Sequence, residues 1–592
     1  MLHTAAALGK DFKFSELAAA NPLDEDLLLD ALDEASAAQL LHAEGRDSFV
    51  FTHDKIREVL YEELNPIRRK RIHQRIGEGL ESIYSTEIQA HAQELAHHFM
   101  ESDDLPRSLR YSLLAAGQAR RLFASEDALC YYDQAQEAAE ALDQTGELAV
   151  IHNAIAEVYS IRGPVSKAIE HYDRAIALTE DPGKRGAIKA RAGAEYAGVG
   201  DARGIEYINE ALRELDVETQ SNEVALATAM LARYYHYRAL HSKAIEYLEK
   251  ARALAEPAQD AATLSLIYSF LAGAHQHLTR FDESMDWARK CIDLGKRTHT
   301  PQAEAYGYEF LAEDSMAMGD WQAALQYAQQ DCELGEKIGA KNRITWSTYS
   351  RAFAEFVGGE LTSAEKDAGL TRQLADEIGD TRVAILASGV QVQALADLGR
   401  DEEAGHIAAQ VLAEADQIQH VTLQALTHHA VAYWQIGRGE FQTALDHYRQ
   451  AEALISATEN VWIPMTYRPF LGQVLVELGQ ISEAASVLAA TQAVSRKANS
   501  RYCEAQALRG QARVYAAQRR LEDALKAINQ SIALLTDQDC RLELGRSLAQ
   551  RGRLHKTQGN DPDARKDGQQ ALELFRQIGA VVDERSTREM LA

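Results

Sequence analysis

Proline occurs only 10 times in 592 residues and aromatic side chains make up 7% of them, while Ala, Leu, Glu and Gln dominate. Little is left from which to build strands and tight turns; this is the composition of helices. Cysteine is equally scarce. Cys130, Cys291, Cys332, Cys503 and Cys540 are scattered, with no CxxC and no close pair. That excludes a disulfide framework and leaves reduced, mostly buried thiols of a cytosolic protein. No apolar run approaches the roughly 18 residues needed to cross a membrane, and the opening MLHTAAALGKDF lacks the basic start of a signal peptide. Positive charge is short as well: 62 Lys and Arg face 89 Asp and Glu, a formal net charge of −27. Binding phosphates needs a basic face, so nucleic acid is disfavoured as the main partner, and anionic membranes with it. The acidic excess fits a soluble cytoplasmic protein. The common catalytic signatures are missing too. There is no GxxxxGK[ST], no GxSxG and no Cys/His signature, and LGKDF (Leu8 to Phe12) lacks both the upstream Gly and the following Ser or Thr. The expectation is a non-enzyme with no cofactor and no metal.

The chain is too long for one compact core, so it is several domains or a repeat array. The sequence decides for repeats. A small residue recurs at Ala128, Ala168, Gly204, Ala244, Ser284, Ala324, Ala364, Ala404, Ala444, Ala484, Ala524 and Ala564, in steps of 40 residues with one of 36. Five residues earlier a glycine recurs, at Gly163, Gly319, Gly359, Gly399, Gly439, Gly479 and Gly559. Twelve residues earlier stands another small residue, such as Ala116, Ala156, Ala232, Ala272, Ala312, Ala352, Ala432 and Ala512, a column that Val392 breaks. The physics is that of a helical hairpin. The glycine supplies a left-handed turn that ends helix A, and small residues on facing sides let helices A and B approach to about 8 Å. Each hairpin leaves an apolar side uncovered and must stack on the next.

This pattern resembles the tetratricopeptide repeat, with Ala156, Tyr159, Ala168 and Ala175 matching its small, Tyr, Ala and Ala positions. The resemblance covers roughly residues 86 to 592 and implies an all-α, right-handed superhelix of about 12 repeats. The period is 40 rather than the common 34, like the longer repeats in sensor arms of bacterial regulatory ATPases.

Residues 1 to about 85 follow a different grammar. LHTAAALG and FSELAAA read as short helices, and LDEDLLLDALDEASAAQLL as a longer one. LLHAEGRDSFVFTH reads as a β-hairpin turning at Glu44-Gly45-Arg46-Asp47, and HDKIREVLYEEL as a further helix. Three helices and a two-stranded wing make a winged-helix plan. Together with NPIRRKRIHQRIGEGLE, these segments resemble the winged-helix module of signal-transduction ATPases with numerous domains, similar to regulators of the maltose-activator type. In that class a nucleotide-binding domain precedes the module and tetratricopeptide repeats follow it. The resemblance implies that His53, with Asp54, contacts the bound ADP phosphate of such a domain on the winged-helix side and holds the closed, inactive form. Thr52 stands where many relatives carry Met. The nucleotide-binding domain is absent from this sequence, which is read as a fragment, a truncated product or a stand-alone descendant. The plainer reading makes His53 a corner between wing and helix, with Asp54 capping that helix.

Other candidates are weaker. RRKRIHQR (Arg68 to Arg75) is the one basic run, but the helix that would enter a DNA groove carries Asp24, Glu25, Asp26, Asp30, Asp33 and Glu34, which phosphates repel. A DNA-binding regulator acting through the winged helix is the alternative function; a solvated face, or a dock for an acidic surface, is the bland account of the run. His91, Glu94 and His98 fall on one helical face without the HExxH arrangement, and His420, His428 and His429 lack even that carboxylate.

The concave face of the repeats says more. Trp346, Tyr349, Phe353 and Phe356, at spacings of 3, 4 and 3, form one stripe on one A helix. The preceding repeat places Tyr306, Glu309 and Glu313 there, a later one His429 and Tyr433, and further along come Arg509, Arg513 and Arg553. Either the stripe is core between neighbouring A helices, or it floors a groove with an acidic flank upstream and a basic flank downstream. The leading function is a scaffold or sensor arm that binds a protein, a peptide or a small effector in that groove.

Overall fold

The computed structural model describes every residue except Phe123, Gly200 and Gln419, and describes Arg162 and Gly198 by their backbone alone. Among the described residues the chain forms 31 helices and three short strands. The fold is all-α: a solenoid of tetratricopeptide-like helical hairpins, preceded in sequence by a small module of short helices and a three-stranded sheet. Two compact units are distinguished, Met1–Val158 with Asp173–Thr179, and Tyr159–Tyr172 with Glu180–Ala592.

The first unit opens with helix α1 (Leu2–Leu8), strand β1 (Asp11–Lys13), helices α2 (Phe14–Ala20) and α3 (Glu25–Ala37), and strands β2 (Leu41–Glu44) and β3 (Ser48–Phe51). Asp24 caps α3 by accepting from the Asp26 amide at 3.0 Å. The hairpin turns where the sequence predicts, with Gly45 at φ 75° between paired residues Leu41–Phe51 and Ala43–Phe49. The expected two-stranded wing has a third strand, because Asp11–Lys13 pairs antiparallel with β3 and sets Phe12 against Phe49 and Phe51. Three residues are too few to show an alternating pattern. Helix α4 (Asp54–Glu62) and helix α5 (Pro66–Ile83) follow, the latter capped by Asn65 with Pro66 in its first turn. Helix α6 (Ala92–Glu101) then packs on α5 through Ile76, Leu80, Leu95 and Phe99.

The repeat columns map onto the hairpin seams. Ala312, Ala352 and Ala432 on A helices, and Ala324, Ala364 and Ala444 on B helices, are all buried. Gly319, Gly359, Gly399, Gly439, Gly479 and Gly559 have φ between 74° and 95°. The same turn is left-handed without glycine at Ala239, Thr279 and Arg519. A second left-handed column, unmarked by any one residue type, ends the B helices at Gln259, His299, Gly339, Gly379, Asn499, Asp539 and Gly579. Cys291, Cys503 and Cys540 are buried, Cys332 is half-buried and Cys130 is exposed. Among the described residues, no helix is long and apolar enough to cross a membrane.

Candidate functional site

Within the second unit the A helices do not line an open trough. Their C-terminal ends rest on elements roughly five repeats further along. Ser500 Oγ donates to the Ala317 carbonyl at 2.5 Å, Gln538 Nε2 to that of Met318 at 2.6 Å, and Trp321 Nε1 to the Gln538 carbonyl at 3.2 Å. Arg541 pairs with Glu360. The amides of Glu459 and Val461 donate to the carbonyls of Ala239 and His277, both at 2.9 Å. Successive superhelical turns are therefore stitched together, and backbone groups at the hairpin ends find partners across the stitch.

Between those turns lies a cavity of about 100 Å³, several water volumes in size, with a mostly apolar wall. The aromatic stripe supplies part of it. Tyr349 and Phe356 are buried, Phe353 is half-buried, and all three line the cavity. Trp346 does not; its indole donates to Asp380 Oδ2 at 3.3 Å, and Asp380 is held by Arg382 at 3.0 Å. Opposite stand Tyr433, Phe470, Trp462 and Tyr502, with Phe470 and Tyr433 in an edge contact at 5.2 Å. These rings pack as core of the protein, and Tyr349, Phe353 and Phe356 are at the same time wall to the cavity. The wall residues Leu386, Gly389, Gln393, Leu426, His429, Thr466 and Gln506 occupy the same repeat columns as the stripe. The sequence already marks His429 from those columns, and extending them to repeats without aromatics finds the others. Trp462, Phe470 and Tyr502 lie outside the columns and carry no such signal. A polar edge lies where Gln393 Nε2 meets His429 Nε2 at 3.0 Å, and burial pushes the His429 imidazole down to about 3.

The charged flanks are largely consumed internally. Glu309 is paired with the buried Arg343 at 2.5 Å, and that guanidinium lies 5.0 Å from the Tyr306 ring. Glu313 accepts from Gln276 Nε2 at 3.2 Å and is pushed up to about 8, first by burial and then by its neighbour Glu309. Asp314 and Asp331 are likewise pushed to about 8 by burial, so this side is an acid cluster poor in charge rather than an anionic lip. Downstream, Arg509 is buried against Glu543 at 2.5 Å and Arg513 pairs with Glu477 at 2.9 Å. Arg553 reaches Ser586 Oγ at 2.9 Å. None of these arginines lines the cavity.

In the first unit, His53 and Asp54 are both exposed at the start of α4. His53 is the cap residue without a side-chain cap bond, and Asp54 is already the first helical residue, paired with Arg57 at 3.0 Å. The expected Asp54 cap is thus corrected: the helix starts one residue earlier. The acidic residues of α3 are exposed, as are Arg68, Arg71 and Arg75 on α5, while Lys70 is taken up by Asp103. The grouping of His91, Glu94 and His98 is divided. His91 bonds Glu94 at 3.0 Å and stacks on Tyr84 at 3.5 Å, whereas His98 turns inward to His73.

No family model matches the chain, and no curated protein matches it either. Among solved structures, it is similar to a signal transduction ATPase with numerous domains carrying a tetratricopeptide repeat sensor, from Pyrococcus horikoshii (15% identity, TM-score 0.40, 78% of this chain). The chain spans 64% of that protein, less than two thirds of its length. It is also similar to a Rap protein complexed with competence and sporulation factor (12% identity, TM-score 0.46, 60% of this chain and 99% of that one). A third similarity is to the Cut9–Hcn1 hetero-tetramer of the APC/C (13% identity, TM-score 0.48, 90% of this chain and 98% of that one).

Proposed function

We propose that this chain is a non-enzymatic sensor arm that binds a small, largely apolar effector in the cavity walled by Tyr349, Phe353, Phe356, Tyr433 and Phe470. A preformed, mostly apolar pocket with a few polar groups, as here, is the usual form of a small-molecule site. Gln393 and His429 would fix the effector's single polar group, and an apolar anchor side chain of a peptide would use the same wall. The walls come from helices of consecutive superhelical turns, so an occupant that favours one spacing of the turns shifts the population toward it. In an architecture of the kind the N-terminal module resembles, that shift would bias a nucleotide-binding partner between closed and open states. His53 and Asp54, exposed at the start of α4, would meet that partner.

The test uses Gly389, on the wall of the cavity, where an added Cβ meets nothing closer than Ala430 Cβ at 3.7 Å. Gly389→Leu would place an isobutyl group in the empty space without displacing backbone. Small aromatic and alkyl compounds screened by thermal shift should include some that raise the melting temperature of the natural chain and leave Gly389→Leu unmoved. A screen with no stabilising compound, or one whose hits stabilise both proteins equally, rules the cavity out as the site.

A further inference from the structure

Away from the cavity, the first unit brings three imidazoles together. His73 on α5 and His97 and His98 on α6 place one ring nitrogen each within 4.8 Å of the others, and their ring centroids stand 5.5, 5.0 and 5.2 Å apart. We propose that His73, His97 and His98 form a site for one divalent transition-metal ion of the imidazole-preferring kind, such as zinc, nickel or cobalt.

The geometry carries this in three ways. Tetrahedral coordination at about 2.0–2.1 Å per nitrogen places ligand nitrogens roughly 3.3 Å apart, which this triangle reaches by small side-chain rotations. His73 Nδ1 and His98 Nδ1 already face each other at 2.8 Å, inside a buried apolar setting. Without a metal one of those nitrogens must hold the proton the other accepts; moving that proton to Nε2 frees both lone pairs for an ion. The far nitrogen of His73 meets the Tyr61 hydroxyl at 2.9 Å, the outer partner that fixes the tautomer and ring orientation of a metal-binding histidine.

Access and charge are also in place. His97 is exposed, which gives the ion a path and leaves a fourth position facing solvent. All three ligands are neutral and the Arg69 guanidinium lies over the Tyr61 ring at 4.4 Å, so that fourth position suits water or an anion.

Cobalt(II) chloride titrated into the tag-free full chain should give a visible ligand-field band that saturates at one equivalent and is bleached by zinc. His97→Gln alters an exposed side chain and should leave the fold unchanged by circular dichroism, yet weaken cobalt and zinc binding by tenfold or more. Tyr61→Phe should weaken binding about tenfold through the lost outer hydrogen bond. Zinc should raise the melting temperature of the natural chain and not that of His97→Gln. Absence of one-equivalent saturation, or equal affinity in the natural chain and His97→Gln, overturns the site.

Discussion

Arg546 reaches 149 residues back along the chain to pair with Asp397 at 2.6 Å. The same guanidinium donates to the Tyr433 hydroxyl at 2.7 Å, meets Glu543 at 2.9 Å and pairs with Asp583 at 2.8 Å. Tyr433 in turn donates to Asp397 at 2.7 Å. One arginine thereby holds A helices of two superhelical turns and the last helix of the chain, beside the aromatic wall of the cavity.

Removing that arginine leaves the buried Asp397 carboxylate without its cationic partner and the buried Glu543 with Arg509 alone. Arg546→Met should cost on the order of 3–5 kcal/mol in urea denaturation. It should also raise hydrogen exchange on both turns that it joins, 381–397 and 541–557. Exchange confined to the repeat that carries residue 546 would mean that the stitch between turns contributes nothing.

The hairpin seam is tested at Ala312, which is 1% exposed. Ala312→Leu should overpack it and cost roughly 1–3 kcal/mol. Loss of exchange protection should centre on the hairpin of Pro301–Met318 and on its neighbours in sequence and across the stitch. A uniform loss through every repeat would contradict this.

Thr279 holds φ at 59° in the turn where other repeats use glycine. A β-branched residue is strained there, so Thr279→Gly should stabilise by up to about 1 kcal/mol, the relief of strain being partly offset by a more flexible unfolded chain. A lower urea midpoint for the variant would show that the Thr279 side chain contributes more than its backbone costs.

Asp331 is fully buried with neither carboxylate oxygen hydrogen-bonded, and burial pushes it to about 8 against the opposing pull of Arg343 and with the help of Glu309. Between the unfolded value of about 4 and the folded value, the native state keeps a proton that the unfolded state has lost. Stability should therefore fall as pH rises from about 4 to about 8, with Glu313 and Asp314 adding to the slope. Asp331→Asn should flatten it and gain on the order of 1–3 kcal/mol at pH 8, shrinking to little near pH 4. A gain equal at both pH values would place the effect elsewhere than in titration.

The sequence by itself determined the hairpin, because close approach of two helices admits only small residues at fixed spacings and a left-handed turn favours glycine. Ala312 and Ala324, or Gly319 and Gly359, were legible for that reason. It also marked the wing turn at Gly45, and it put Tyr349, Phe353 and Phe356 on one helix face. Tertiary structure decided what that face meets. Contacts between superhelical turns join residues such as Arg546 and Asp397, or Trp321 and Gln538, that belong to no common column, so no periodicity announces them. The same holds for charge: Glu309 and Arg509 read as open flanks until folding delivers Arg343 and Glu543 to neutralise them. His73 and His98, 25 residues apart on separate helices, become neighbours only when α5 and α6 bury their shared apolar faces. Local rules of spacing and turn chemistry are written in the chain, whereas a cavity or a cluster exists only once distant helices share one space.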